Sequence, residues 1–128
     1  MKTLLTIFTL LFTVMFSSIS FAGWTKVVES VNGDTFYVDF ERIRKHDGYV
    51  YFWDLTDLLK PNESGSLSAK VYKEVDCKLF RFKTLSYSFH KEPMGGGTGD
   101  VQESVKKGWK YPVPDSISEL ILNKICSQ

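Results

Sequence analysis

Apolar and polar positions alternate with a period of two over much of this chain and change to helical spacing only near its C-terminus. Alternation sends successive side chains to opposite faces of a pleated strand, so the pattern predicts half-buried β-structure closed by one short helix. The run Trp24 to Val31 is apolar at mixed spacing and ends at Asn32-Gly33-Asp34, a turn signal with a strand expected on either side. In the second of these strands, Asp34 to Glu41, the residues Phe36, Val38 and Phe40 share one face while Tyr37, Asp39 and Glu41 share the other. After the basic segment Arg42-Ile43-Arg44-Lys45, the pair Asp47-Gly48 predicts another tight turn. The strand from Tyr49 to Leu55 then sets Val50 and Phe52 against Tyr49, Tyr51 and Trp53. Apolar on both sides, it is expected to be central or covered on both faces, with its aromatics in the core.

Lys60 to Ser66, with Pro61, Asn62 and Gly65, reads as a surface loop. Beyond it Leu67, Ala69, Val71, Val75 and Cys77 form an inward set, and Ser68, Lys70, Tyr72, Glu74 and Asp76 an outward one. Leu79, Leu85, Tyr87 and Phe89 continue the inward parity, whereas Phe80 and Phe82 oppose it and Arg81 and Lys83 intrude. Either a bulge or a bend therefore lies between Asp76 and Phe82. Four glycines fall within Gly95 to Gly99, which makes regular structure costly there and predicts a mobile loop. Trp109 to Pro114 is expected to be extended, since each proline biases its predecessor away from the helical region. Ser116 and Glu119 stand at capping-box spacing, and Ile117, Leu120, Ile121 and Ile125 fall on one helical face with Leu122 and Cys126 on its flank.

The first 22 residues follow a different logic. Lys2 precedes an uncharged run from Leu4 to Phe16, and Ser20 and Ala22 supply the small residues of a cleavage site, so residues 1–22 are expected to be a secretory signal peptide cut before Gly23. The run is too short for a comfortable membrane span, and no transmembrane segment is expected in the mature chain. Residues 23–128 then form a single domain. Without Lys2 the 16 basic residues become 15, against 15 acidic ones. That balance argues against a dedicated nucleic-acid binder, which needs a basic field over many phosphates.

Export changes the meaning of the two cysteines. In an oxidising compartment Cys77 and Cys126 most simply form one disulfide that fastens the terminal helix across the sheet. A redox pair fits poorly because the two are far apart in sequence, and a structural zinc site would have only His46 and His90 to complete four ligands. The fold expected is α+β, a single antiparallel sheet of about five to six strands with one C-terminal helix packed on it.

Several stretches, taken in order, resemble the surface-adhesin protein E family: Trp24, TFYVDFERIRK, YVYFWDL, the segment ending in Asp76-Cys77, Pro93-Met94-Gly95, and Trp109-Lys110-Tyr111-Pro112-Val113-Pro114 before a final helix with Cys126. The resemblance spans nearly the whole mature chain. It implies a disulfide-tethered sheet and helix, a Gram-negative cell-envelope location, in the periplasm or at the outer surface, and adhesion to host extracellular-matrix or serum proteins.

Candidate chemistry adds little to that expectation. Gly95 to Gly99 lacks the lysine and hydroxyl residue of a phosphate-binding loop. His46 and His90 have no neighbouring nucleophile or ligand pattern, and Asp39 with Glu41 is explained by the adjacent Arg42 and Arg44, so no catalytic residue, metal site or cofactor is expected. Arg42, Arg44 and Lys45 form one basic cluster with His46, and Arg81 and Lys83 a second interleaved with Phe80 and Phe82. Together with Lys106, Lys107, Trp109 and Tyr111, they are the residues expected to meet a macromolecular partner. The second function expected is a periplasmic inhibitor or accessory protein acting on an envelope-directed enzyme through an inserted loop.

Overall fold

The computed structural model of the protein describes residues 23–128 apart from Lys107. The signal peptide expected over residues 1–22 lies outside the described residues. Seven strands form one antiparallel sheet: β1 (Trp24–Glu29), β2 (Thr35–Asp39), β3 (Arg44–His46), β4 (Tyr49–Asp57), β5 (Ser68–Asp76), β6 (Arg81–His90) and β7 (Gln102–Glu103). Helix α1 (Ile117–Cys126) follows. The spatial order is β1-β2-β4-β5-β6-β7, with β3 also paired to β4. Strand β4 is central, as its two apolar sets predict.

The strand expected to run to Glu41 stops at Asp39, which corrects the sequence reading. Asp39 is 1% exposed, and its carboxylate accepts the Glu41 amide at 3.2 Å and the Arg42 Nε. These contacts curl Phe40–Arg42 into a 3₁₀ turn, so Asp39 and Glu41 no longer share a strand face. The chain then resumes as β3, pairing Arg44 with Tyr51 and His46 with Tyr49, while β2 pairs with the Asp54–Asp57 half of β4. Asp47 and Gly48 both take positive φ, 50° and 82°, the twist that a two-residue hairpin turn requires.

The unsettled stretch after Asp76 is a bend between two strands. β5 ends at Asp76, whose carboxylate accepts the Leu79 amide at 3.3 Å, and β6 begins at Arg81. A bulge is also present, farther along: pairing shifts from Lys73 with Thr84 to Tyr72 with Ser86, leaving Leu85 as the extra residue. The bulge reverses side-chain parity along β6, so Phe82 and Thr84 share a face with Tyr87 and Phe89.

Ser116 caps α1 by accepting the Glu119 amide at 3.2 Å, and Glu119 accepts the Asp115 amide at 3.2 Å. Ile121, Leu122 and Ile125 are buried against Val38, Val50, Phe52 and Val75. Leu120, expected on the buried face, is 37% exposed because the helix is rotated toward its Leu122–Cys126 flank. That rotation brings Cys126 to Cys77, to which it is bonded with Cα atoms 5.6 Å apart, within the ordinary disulfide range. Cys77 lies in the β5–β6 turn, so the bond anchors the helix to the end of the central hairpin.

Closing a loop of about 50 residues stabilises the fold by about 4 kcal/mol in the chain-entropy account. Replacing both cysteines with serine is expected to lower the urea-unfolding free energy by an amount of this order, with a steeper denaturant slope because the unlinked unfolded chain exposes more surface. An unchanged midpoint would contradict the staple.

Candidate functional site

A ten-residue helix covers one face of the sheet over part of its width. The opposite face collects the residues of the other parity: Tyr49, Tyr51 and Trp53 from β4, Tyr72 and Glu74 from β5, and Arg81 and Lys83 from β6. Register sets Tyr51 beside Glu74 and Glu74 beside Lys83, with Trp53 next to Tyr72 along the same face. Cross-strand neighbours on one face sit close enough for direct side-chain contact. Tyr51 and Tyr72 have ring centroids 6.2 Å apart and Trp53 and Tyr72 4.8 Å apart, forming a half-buried aromatic strip.

The ionic groups on this face are matched to one another. Tyr51 donates its hydroxyl to Glu74 Oε1 at 2.7 Å, and Lys83 Nζ lies 3.3 Å from Glu74 Oε2. The hydrogen bond to Glu74, helped by burial and by the Glu74 charge, pushes the Tyr51 phenol up to about 12. Arg81 Nε donates to Asp76 Oδ2 at 3.0 Å. Burial alone would raise the Asp76 carboxyl, but the Leu79 amide and the Arg81 guanidinium outweigh it and hold the group below its ordinary value of 3.8. Trp109 lies between the two cations, its ring centroid 4.5 Å from the Arg81 guanidinium carbon and 4.3 Å from Lys83 Nζ, and 5.6 Å from the Tyr49 ring.

The segment after β6 borders the strip. Met94 donates its amide to Asp57 Oδ1 at 2.8 Å, Gly95 donates to Ser68 Oγ at 2.8 Å, and Ser68 Oγ donates to the Glu92 carbonyl at 2.6 Å. Met94 and Gly95 adopt positive φ of 56° and 69° to make these contacts, against the Lys70 side chain. Farther on, β7 pairs with Ser86 and Tyr87, and Lys110 exchanges two main-chain hydrogen bonds with Phe82. The glycine-rich loop expected to be mobile is therefore fastened at its start, and the chain beyond it is fastened along the β6 edge. Between strip and edge lies a cavity of about 360 Å³ lined in part by Tyr72, Lys83, Ser86 and Glu103.

The expected binding residues scatter. Arg81, Lys83 and Trp109 meet on this face, and register places Arg44 there too, beyond Tyr51. Arg42 is drawn away to Asp39, and Lys45 points to the helix side, where its Nζ donates to the Gln128 carbonyl at 2.9 Å. Tyr111, though 63% exposed, stands beside Arg81, because the Phe82–Lys110 bridge sets the two opposite each other, whereas Lys106 is exposed in the segment after β7 and Lys107 lies outside the described residues. Sequence reasoning assigned Tyr51 and Trp53 to the core and passed over Tyr72 and Glu74. One signal points to them: a single amphipathic helix covers only one face, so the alternate aromatic parity of β4 is left open.

Among the described residues no group of three or more His, Cys, Asp or Glu is placed to hold a metal ion. His90 is buried with its Nε2 2.9 Å from Ser88 Oγ, and its Nδ1 has no partner to orient it as a base.

A family model described as surface-adhesin protein E matches residues 24–127. The chain belongs to the surface-adhesin protein E family. Solved structures of Haemophilus influenzae protein E share its fold: one crystal form is 22% identical, with a TM-score of 0.65 over 87% of this chain and 91% of that one. The selenomethionine form is 21% identical, with a TM-score of 0.64 over 87% and 90% of the two chains. Protein E from a non-typeable strain is 22% identical, with a TM-score of 0.60 over 87% and 79%. No curated protein sequence matches the chain. Membership of the protein E family makes this an adhesin-like binding protein.

Glu74→Ala is expected to return the Tyr51 phenol from about 12 toward its ordinary 10.0, as followed by NMR titration. For Asp76, whose folded carboxyl is depressed, the stabilisation is present above the unfolded value of 3.8 and is lost as pH falls through the lower folded value. The stability advantage of the protein over Asp76→Asn should therefore be constant near neutrality and shrink in acid. Equal pH profiles for the two proteins would contradict the Asp76 account.

Proposed function

We propose that residues 23–128 act, after removal of an export signal, as a noncatalytic cell-envelope adhesin that binds a host protein of the extracellular matrix or serum. The observation that carries this reading is the open aromatic and ionic face, with Tyr51, Trp53 and Tyr72 half-buried and unroofed by the only helix among the described residues. Aromatics and arginine dominate binding hot spots because they bury large areas while keeping a polar end satisfied. A sheet whose covering helix is covalently fastened presents such a surface with little ordering cost on association. The family relationship supports the adhesive role, and the near-zero net charge of the expected mature domain is consistent with specific contact rather than bulk charge attraction.

The oxidised domain, immobilised and exposed to serum and matrix proteins with envelope extract in parallel, is expected to capture a host protein. Tyr72→Ala is expected to weaken that capture by about tenfold, as a central hot spot does. Antibody against the domain should also label intact cells. Capture from envelope extract alone, with unlabelled cells, would overturn the adhesin reading in favour of a periplasmic role.

A further inference from the structure

The charges beside the aromatic strip are already paired, and that restricts what the strip can hold. Glu74 serves both Tyr51 and Lys83, and Asp76 serves Arg81, so each of these two cations has its own carboxylate, while Arg44 and Lys70 lie farther out on the same face. An anionic ligand would have to displace a carboxylate from Lys83 or Arg81, and a cationic one would have to displace a base from Glu74. A neutral ligand with many hydroxyls breaks neither pair. It uses unspent capacity beside the strip: the remaining ammonium protons of Lys83, the carboxylate of Glu103 and the Ser86 hydroxyl, which meet around the 360 Å³ cavity.

The aromatic strip adds a second requirement. Trp53 and Tyr72 are inclined by 36° with centroids 4.8 Å apart, and Tyr51 and Tyr72 by 27° at 6.2 Å, so the three rings form one overlapping stack beside that polar cavity. An electron-rich ring favours a partner with weakly positive C–H groups. A pyranose ring combines such C–H groups with hydroxyls around its rim. A peptide fits less well, because β4 and β5 use their main-chain groups in ladders on both sides and leave none here for a peptide backbone. We infer that this face binds neutral sugar residues, hexoses or N-acetylhexosamines, carried on the glycans of a glycoprotein partner. The inference rests on the adhesin reading above and names the group recognised. Trp109, whose ring lies against Arg81 and Lys83, is a positioning residue that holds the cations in place.

The test uses mannotriose and N-acetyllactosamine as neutral probes and heparin as a sulfated one, with NMR shifts of the Trp53 indole and Tyr72 ring as readout. The neutral probes are expected to shift both resonances, with affinity unchanged between low and high salt, because no net charge is exchanged. Trp53→Ala is expected to weaken binding about tenfold, and Glu74→Gln, which preserves side-chain volume, to weaken it in a correctly folded background. Trp53→Phe, which keeps an aromatic ring, should retain most of the affinity. Salt-sensitive binding of heparin alone would overturn the inference. So would capture of a glycoprotein that survives enzymatic removal of its glycans, which leaves the adhesin reading standing. Failure to capture any host protein, glycosylated or not, would remove the adhesin reading as well.

Discussion

One covalent contact between the last turn of α1 and the β5–β6 turn organises this domain. A helix of ten residues is marginal on its own in water, and its buried stripe amounts to Ile121, Leu122 and Ile125. The Cys77–Cys126 bond holds that stripe over Val38, Val50, Phe52 and Val75, the apolar set on the core face of the sheet. It also sets the rotation of the helix, which leaves Leu120 in solvent.

With the core on one side, the other face had to become stable while partly open to water. It does so by pairing polar groups with polar groups. The set Ser68, Lys70, Tyr72, Glu74 and Asp76 has an outward parity, yet Ser68 is 0% exposed and Asp76 7%. Ser68 is covered by the Glu92–Gly95 segment that it hydrogen-bonds, and Asp76 by Arg81 and its own turn. Burial of such groups is tolerable because each is satisfied. The same arrangement that stabilises the face gives Lys83 and Arg81 each a carboxylate partner.

The helix side carries a related device. Asp54 lies 2.6 Å from Lys73 on the core face of β4 and β5, and Lys73 also stands over the Phe82 ring at 5.3 Å. Beyond this pair the sheet is no longer covered by α1, and an open groove runs over Ala69, Val71, Tyr87 and Phe89. The pair thus marks the margin between the covered core and the exposed part of the same face.

Much of this fold was legible along the chain. Period-two alternation located β2, β4 and β5, Asp47-Gly48 located a hairpin, the capping spacing located α1, and cysteine count with export predicted the disulfide. Each is a local rule, satisfied by residues close in sequence or by elimination among few candidates. What the chain left open depended on partners distant in sequence. Phe82 regained its parity only through a bulge set by pairing with β5, while the turn at Asp39 is a local exception, a contact with Arg42 three residues on that overrides the strand's alternation. The candidate site depended most of all on tertiary structure. Tyr51 and Trp53 look like core residues until one knows which face a single helix occupies, and that choice is made by packing across the sheet rather than by any stretch of sequence.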